Sequence, residues 1–288
     1  MPSLIDFRRR IRSVKNTQQI TKAMKMVSAA KLRRAQERVI AGRPYAKAMR
    51  EMLANLTAAA SDASDSPWLV KREPKRVDLL FFSSDTGLAG AFNSNLLKAS
   101  QRFFEERQGI EITLTLVGRK GRDFYRRRGA KILAEHINIL NRPTYQDAAG
   151  IAKEVIQRYK DGETDAVYII NNDFKSVMSQ TLNVLQVLPV DVGQGSDLPA
   201  GQADYIYEQP PVEMLDRLMP RYVEVAVLRA MLETVASYQA ARMTAMDKAS
   251  SNAKEVIDSL TLHMNCVRQA AITKEIIEVV SGAAAAAE

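Results

Sequence analysis

The feature that most constrains the fold is a long run near the C-terminus, residues 221–281, that contains neither glycine nor proline. Because these two residues interrupt helices more strongly than any others, the run predicts a single continuous helix. At a rise of 1.5 Å per residue this helix is about 90 Å long. Leu228, Met231, Val235 and Tyr238 recur within it at spacings of 3, 4 and 3 residues. This spacing predicts a coiled-coil seam, meaning a row of side chains that packs against a second helix.

Further along the run a second apolar group has the same spacing: Ile257, Leu260, Met264, Val267 and Ala271. Between the two groups we expect the seam to pass through small or polar residues: Arg242, Ala245, Ala249 and Asn252. A helix of this length is unstable in water unless its apolar stripe is covered. The sequence therefore predicts a partner helix.

The partner is predicted at the N-terminus, where residues 3–41 contain neither glycine nor proline. An apolar stripe begins with Leu4, Phe7, Ile11 and Val14. The strict repeat fails at Gln18, so we expect the stripe to continue as Ile20, Met24, Val27 and Ala30. Gly42 and Pro44 predict an interruption before the spacing resumes at Ala46, Met49, Leu53 and Leu56. The C-terminal helix is the longer of the two, and its end should project beyond the paired region.

The middle of the chain has a different period. Three short runs rich in β-branched and aromatic residues, 77–84, 111–118 and 165–171, alternate with helix-like stretches at 93–107, 119–128 and 146–160. Further strands are expected at 131–139 and 181–190, and loops at 61–74 and 191–211. Alternating strands and helices predict βαβ units around a largely parallel sheet. The predicted organisation is α/β, with a helix at 1–60, an α/β domain at 75–205 and a second helix at 209–287.

The basic charge is concentrated at one end of the chain. The net charge is +8, but residues 1–50 contain 14 basic and two acidic side chains. Such a segment can bind nucleic acid, an anionic membrane surface or an acidic protein. The segment has two aromatic residues, Phe7 and Tyr45, and no helix-turn-helix or zinc pattern, which favours a protein partner. Nucleic-acid binding remains the alternative function.

Motifs for catalysis or cofactor binding are absent from the sequence. The turn after the first predicted strand, 84–90, lacks both the dinucleotide and the phosphate-loop glycine patterns. His136, His263 and Cys266 have no ligand or nucleophile partner at a suitable spacing. A single cysteine allows no intramolecular disulfide. We therefore expect no catalytic residue, cofactor or metal, and no direct nucleotide binding.

Several separated motifs identify a family resemblance. They are the run 11–36 (IRSVKNTQQITKAMKMVSAAKLRRAQ), the turn 83–98 (SSDTGLAGAFNSNLLK), DYIYE at 204–208, ARMTAMDKASSNAKEVIDSL at 241–260 and ITKEIIEVVSGAAA at 272–285. In this order, they resemble the gamma subunit of F-type ATP synthases of the bacterial type. The resemblance implies an antiparallel coiled coil of the terminal helices plus a Rossmann-like α/β domain without a nucleotide site.

The resemblance also implies a function and a set of partners. In this family the coiled coil is a central shaft inside a ring of three alpha and three beta subunits, and catalysis resides in the beta subunits. The opposite end of the shaft, with the epsilon subunit, rests on the membrane ring of c subunits, and a delta subunit completes the partners. The chain would then be a peripheral protein on the cytoplasmic side of the bacterial inner membrane.

Matching the motifs residue by residue assigns candidate contacts. Those with the alpha/beta ring are Lys22, Met24, Lys25, Arg268, Gln269, Thr273 and Glu275. Those with the c ring and epsilon are Tyr205, Tyr207 and Glu208. The family usually has DRGLCG after the first strand, but Thr86 and Ala89 replace its Arg and Cys here. A charge contact from that turn is therefore in doubt.

Overall fold

A computed structural model describes residues 3–59, 68, 73–190 and 210–286. The elements in chain order are α1 (Leu4–Ala59), β1 (Arg76–Phe82), α2 (Phe92–Glu105), β2 (Glu111–Val117), α3 (Arg119–Arg126), β3 (Ile132–His136), α4 (Tyr145–Lys160), β4 (Ala166–Phe174), β5 (Gln180–Leu188) and α5 (Pro211–Ala286). Every strand and helix that the sequence predicts between residues 77 and 190 is present. Most of their ends lie within two residues of the expected positions.

The five strands form one sheet in the order β3-β2-β1-β4-β5. Strands β1 to β4 are parallel, whereas β5 runs antiparallel to β4. The short connection from Phe174 to Gln180 explains the reversal, because so few residues can join only antiparallel neighbours. The prediction of a largely parallel sheet is confirmed.

Alternate residues of β1 point into two separate cores. Leu80 and Phe82 pack with α4 and with parts of α1 and α5, whereas Leu79 and Phe81 pack with α2 and α3. Both faces of the sheet are thus covered, which explains why β1 is apolar at nearly every position rather than at every second one. Asp78 is the buried exception, and its carboxylate accepts hydrogen bonds from Arg158 at 2.6 Å and from Thr115 at 2.9 Å.

The chain divides into two compact units. The first contains the described residues of 1–28 and 243–288, and the second contains those of 29–242. In the first unit α1 and α5 run antiparallel, since Lys25 forms an ion pair with Asp247 at 2.5 Å while the Gln18 amide donates a hydrogen bond to the carbonyl of Ser250. The pairing of two antiparallel terminal helices agrees with the sequence-based expectation.

The buried face of α1 differs from the expectation in its middle part. From Leu4 to Leu56 one 3-4 repeat of positions is buried or half-buried, with Gly42 as the exception. The repeat passes through Gln18, Thr21, Lys25 and Ser28, while the apolar residues assigned to the stripe, Ile20, Val27 and Ala30, are exposed. The prediction of a shifted stripe was therefore wrong. The stretches before Gln18 and after Ala30 share one phase of the 3-4 repeat. A shift of the buried face between them would require inserted residues.

The seam of α5 needs a smaller correction. Met246 and Ala253 are buried, whereas Asn252 is exposed. Arg242, Ala245 and Ala249 are half-buried as expected. Further along, Ile257 is buried and the other four members of the second apolar group are half-buried.

The predicted interruption near residue 43 is absent. Helix α1 continues through Gly42 and Pro44, although Pro44 has no N–H to donate to the carbonyl of Ile40. Val39, Ala46 and Met49 are buried on the same helix face on both sides of this point. Their burial retains a helix that local propensity alone disfavours.

In the second unit, a row of polar side chains fixes α5 to the end of β4. Residues 229, 233 and 237 of α5 are four apart and so share one face. Glu233 accepts hydrogen bonds from the Phe174 N–H at 2.8 Å and from Arg43 of α1 at 3.1 Å, and its side chain is 1% exposed. Arg229 pairs with Asp173, and the Ser237 hydroxyl donates to the Asn172 carbonyl. Glu233 therefore joins three elements at one buried point.

Glu233→Gln keeps the shape of this junction but removes the charge. It also directs an amide N–H₂ group toward the N–H donors of Phe174 and Arg43. We expect the free energy of unfolding to fall by about 1.5–3 kcal/mol, the range for hydrogen bonds to charged groups. Glu51→Gln, in the exposed pair with Lys47 at 3.6 Å, is the control and should cost about 0.5 kcal/mol or less. Chemical denaturation of the full chain measures both. Equal small effects would contradict the role given to Glu233.

Candidate partner-binding surfaces

The N-terminal candidates lie around a groove in the first unit. A groove of about 400 Å³ is lined by residues of both helices, including Lys22, Lys25, Met26 and Asp247. Lys22 is exposed, whereas Met24 and Lys25 are half-buried. The Lys25 ammonium bonds the Asp247 carboxylate within this chain, so its charge is already partly compensated. Among the described residues that line this groove, Lys22 is the cation without an ion pair in the chain.

Sequence reasoning missed three apolar side chains of α1 that are exposed near this groove. Ile20, Met26 and Val27 are 56%, 61% and 53% exposed. Ile20 and Val27 were expected in a seam that polar residues in fact occupy. Apolar side chains exposed together and bordered by cations are typical of a surface that binds another protein. The missed signal was the phase of the repeat, which already placed positions 20 and 27 outside the seam.

The C-terminal candidates all lie on the exposed part of α5. Arg268, Gln269, Thr273 and Glu275 are exposed, and every described side chain from 272 to 283 is exposed as well. This exposure agrees with the expectation that the C-terminal end of α5 projects beyond the paired region.

The same part of α5 carries an uncovered apolar stripe. Ile272, Ile276 and Val279 follow a 4-3 spacing, and they are 47%, 58% and 70% exposed. Val280 beside them is 62% exposed. An amphipathic helix normally buries such a stripe. The 3-4 spacing could have identified Ile272 and Ile276 in the sequence, where the polar residues Thr273 and Glu275 beside them were selected as contacts.

The remaining candidates, Tyr205, Tyr207 and Glu208, lie outside the described residues, as do residues 191–209 of the predicted loop 191–211. Among the residues that the structure describes, no helix combines the length and the apolar character needed to cross a bilayer.

The carboxyl end of β1 is where a nucleotide phosphate would approach a sheet of this type. Here the first N–H groups of α3 are bonded within the chain. The Asp85 carboxylate accepts from the Arg119 N–H at 3.1 Å, and the Ser83 hydroxyl accepts from the Gly121 N–H at 2.8 Å. Gly118 has φ +102°, and a Cβ there would lie 2.2 Å from the Ser83 carbonyl oxygen. Side chains of the turn after β1 thus take up N–H donors at the N-terminus of α3, the helix that follows β2.

The two residues that depart from the family pattern have structural roles in this turn. The Thr86 hydroxyl is hydrogen-bonded to the hydroxyl of Tyr238 on α5. Ala89 is buried in the core with Phe92. The turn is therefore held to α5 by a neutral hydrogen bond between these two hydroxyls.

Comparison with known proteins defines the class to which this fold belongs. The sequence model described as ATP synthase matches residues 3–286. A gamma chain of ATP synthase from Solibacter usitatus is 56% identical over 289 residues, covering 99% of this chain and all of that protein. The gamma chain from Geobacter sp. strain M21 is 50% identical over 284 residues, covering 98% of both chains.

Solved structures agree with this result. The central stalk and c-ring structure of the Tetrahymena thermophila mitochondrial ATP synthase contains a chain with a TM-score of 0.61 and 27% identity, covering 80% of this chain and 99% of that chain. A chain in the Euglena gracilis OSCP/F1/c-ring structure has a TM-score of 0.69 at 19% identity, covering 98% and 94%. The chain belongs to the ATP synthase gamma chain family. These matches give no support to the nucleic-acid-binding alternative.

The exposure of the α5 stripe predicts where this chain tolerates change. Ile276→Gln should alter the free energy of unfolding of the free chain by about 0.5 kcal/mol or less, because the side chain is already in solvent. Leu53→Ala, at a position 2% exposed, should cost about 2–5 kcal/mol. Thermal or urea unfolding of the full chain compares the two. A loss for Ile276→Gln as large as that for Leu53→Ala would mean that this chain itself covers the stripe.

Proposed function

We propose that this chain is the central rotor shaft of the F1 sector of an ATP synthase and couples transmembrane proton flow to ATP synthesis by rotation. The observation that carries the proposal is family membership over 3–286. The antiparallel helix pair supports it, because a paired helix can transmit torque along its length while presenting different side chains in different directions. The uncovered stripe at the end of α5 supplies a surface for surrounding subunits.

The proposed partners are the ring of three alpha and three beta subunits, the epsilon and delta subunits, and the membrane c ring. Toward the alpha/beta ring we assign Lys22, Met24 and Lys25 on α1 and Arg268, Gln269, Thr273 and Glu275 on α5. The apolar groups around Ile20 and Ile276 extend these two surfaces. Tyr205, Tyr207 and Glu208 are assigned to the c ring and epsilon.

The same proposal places the chain on the cytoplasmic side of the bacterial inner membrane as a peripheral subunit. The domain bounds of 1–60, 75–205 and 209–287 are proposed as its functional parts. Each elementary charge that crosses the membrane supplies about 2.3 kcal/mol per 100 mV. The energy from several ions must therefore be combined for each ATP, which requires a mechanical element between the motor and the catalytic sites.

Co-purification tests the assembly directly. A tagged copy of the chain should recover alpha and beta subunits from detergent-solubilised membranes. A double substitution of the stripe, Ile276→Asp with Val280→Asp, should weaken this recovery, because two carboxylates would be moved out of water against an apolar surface. The control is Met178→Asp, which is 86% exposed in the connection between β4 and β5. Full recovery with the stripe variant would contradict the role of this surface.

We propose further that the chain itself catalyses no reaction, and that ATP is turned over by the beta subunits. The internal bonds of Asp85 and Ser83 to α3 support this proposal, since they use N–H donors that a phosphate would need at the N-terminus of that helix. The purified chain should hydrolyse ATP no faster than a mock preparation. Turnover that persists after rigorous removal of beta subunit, and that follows the chain through chromatography, would refute the proposal.

Met24→Lys tests the coupling role of the N-terminal surface. The substitution adds a cation to a half-buried position beside the groove, where it can form a new ion pair with a beta-subunit carboxylate. A desolvated interfacial pair can be worth about 2–5 kcal/mol, comparable to the work of one or two ions. We expect ATP hydrolysis to continue while inverted vesicles acidify less for each ATP consumed.

The control for this experiment is Met24→Gln, which is polar and of similar length but uncharged, and should leave coupling near normal. If Met24→Lys pumps as many ions per ATP as the unmodified chain, then position 24 does not face a beta-subunit carboxylate that influences torque.

A further inference from the structure

A small cavity of about 20 Å³ lies in the second unit between the turn after β1 and helix α5. Asp85 of the turn and Thr234 and Gln239 of α5 contribute to its lining. About 10–15 Å³ is enough to hold one water molecule, provided that the walls offer two to four polar groups. The cavity is therefore large enough for one water, and the polar atoms around it decide whether a water binds.

Three such atoms are buried without a hydrogen-bond partner among the described residues: Asp85 Oδ2, Thr234 Oγ1 and Gln239 Oε1. Their residues are 9%, 0% and 7% exposed. A buried polar atom that loses its partner is costly, and native proteins contain few. Three of them, contributed by two separate elements to one cavity, require a common explanation.

We propose that this cavity is a binding site for a single water molecule that joins the turn after β1 to α5. The water donates its two hydrogens to Asp85 Oδ2 and Gln239 Oε1, and it accepts the hydroxyl hydrogen of Thr234. This arrangement satisfies all three atoms and gives the water three hydrogen bonds, the usual number for a buried water.

The surroundings favour water over a metal ion. Asp85 is the one carboxylate among the described residues that line the cavity, and its other oxygen already accepts the N–H groups of Arg119 and Asn138 at 3.1 Å each. The positive end of the α3 dipole lies at the same point. The Arg242 guanidinium approaches the Tyr238 hydroxyl, which borders the cavity, to 3.3 Å. Calcium takes six to eight oxygens and magnesium usually retains several waters, and 20 Å³ holds neither set.

A direct contact holds the two walls at their present separation. The Tyr238 hydroxyl bonds Thr86 and also donates to the Gly87 carbonyl at 3.3 Å. The turn is therefore fixed against α5 beside the cavity. The water completes the same joint at a place that the protein's own side chains leave unbonded.

Substitution of Thr234 distinguishes a hydrated hydroxyl from an unpartnered one. If the hydroxyl donates to a water, Thr234→Val raises the unfolding equilibrium constant of the full chain by about 5- to 30-fold, the effect of losing one or two kcal/mol. If it has no partner, removing a buried polar atom leaves that constant unchanged or lowers it, and the proposal fails. Thr234→Ser keeps the hydroxyl and separates its loss from the loss of the methyl group.

A double-mutant cycle tests whether the two α5 residues share one ligand. Thr234→Val and Gln239→Met should be non-additive, since either change alone weakens binding of the same water. The matched control pairs Thr234→Val with Thr164→Val, because the Thr164 hydroxyl is also buried and unpartnered but lies outside this cavity. Additivity in both pairs would exclude a shared ligand.

A structure of the chain at atomic resolution, free or in its assembly, identifies the occupant. We expect one density peak about 2.7–3.0 Å from the three oxygens. Contacts of about 2.0–2.4 Å would indicate a cation and overturn the proposal, as would an unfolding midpoint that shifts with Na⁺, Mg²⁺ or Ca²⁺ and ceases to shift in Thr234→Val. A direct bond between Gln239 and Asp85 that closes the cavity would overturn it as well.

Discussion

The 3-4 repeat of buried positions along α1 is the constraint on which the rest of the structure depends. Leu4 and Leu56 belong to the same phase, and Gly42 is the one exposed position of the repeat between them. Polar residues at positions 18, 21, 25 and 28 are therefore placed on the inner face whatever their chemistry. Thr21 compensates by donating to the Gln18 carbonyl, and Lys25 by pairing with Asp247. In this segment the helical repeat, rather than hydrophobicity, therefore determines which residues lie on the inner face.

The dependence of burial on the whole fold explains which features the sequence could predict and which it could not. The strands were predictable because β1 and the first five residues of β4 are covered on both faces and are therefore mostly apolar. The phase of α1 between Gln18 and Ala30 was mispredicted because local hydrophobicity was followed there instead of the repeat on either side. The continuity of α1 through Pro44 was mispredicted for a related reason. Burial of Val39, Ala46 and Met49 is a tertiary effect that outweighs the local preference of glycine and proline.

The candidate surfaces were predictable only in part. Family motifs selected polar residues such as Lys22 and Arg268, which the structure leaves exposed. Ile20 was expected in the seam and Ile276 was not selected, because an apolar residue in a helix is normally assigned to the interior. The junction at Glu233 was also missed. Its partners, Arg43 and Phe174, are 190 and 59 residues away in sequence, so no local pattern could have related them.

The uncovered stripe on α5 also bears on how cells must produce this protein. A free chain exposes isoleucine and valine side chains that belong against another surface, and exposed apolar area of this kind drives self-association. Each copy made in excess of the subunits that receive it adds to a pool prone to aggregation or degradation. Balanced synthesis of the chain and its receiving subunits is therefore a requirement set by a few side chains at one helix end.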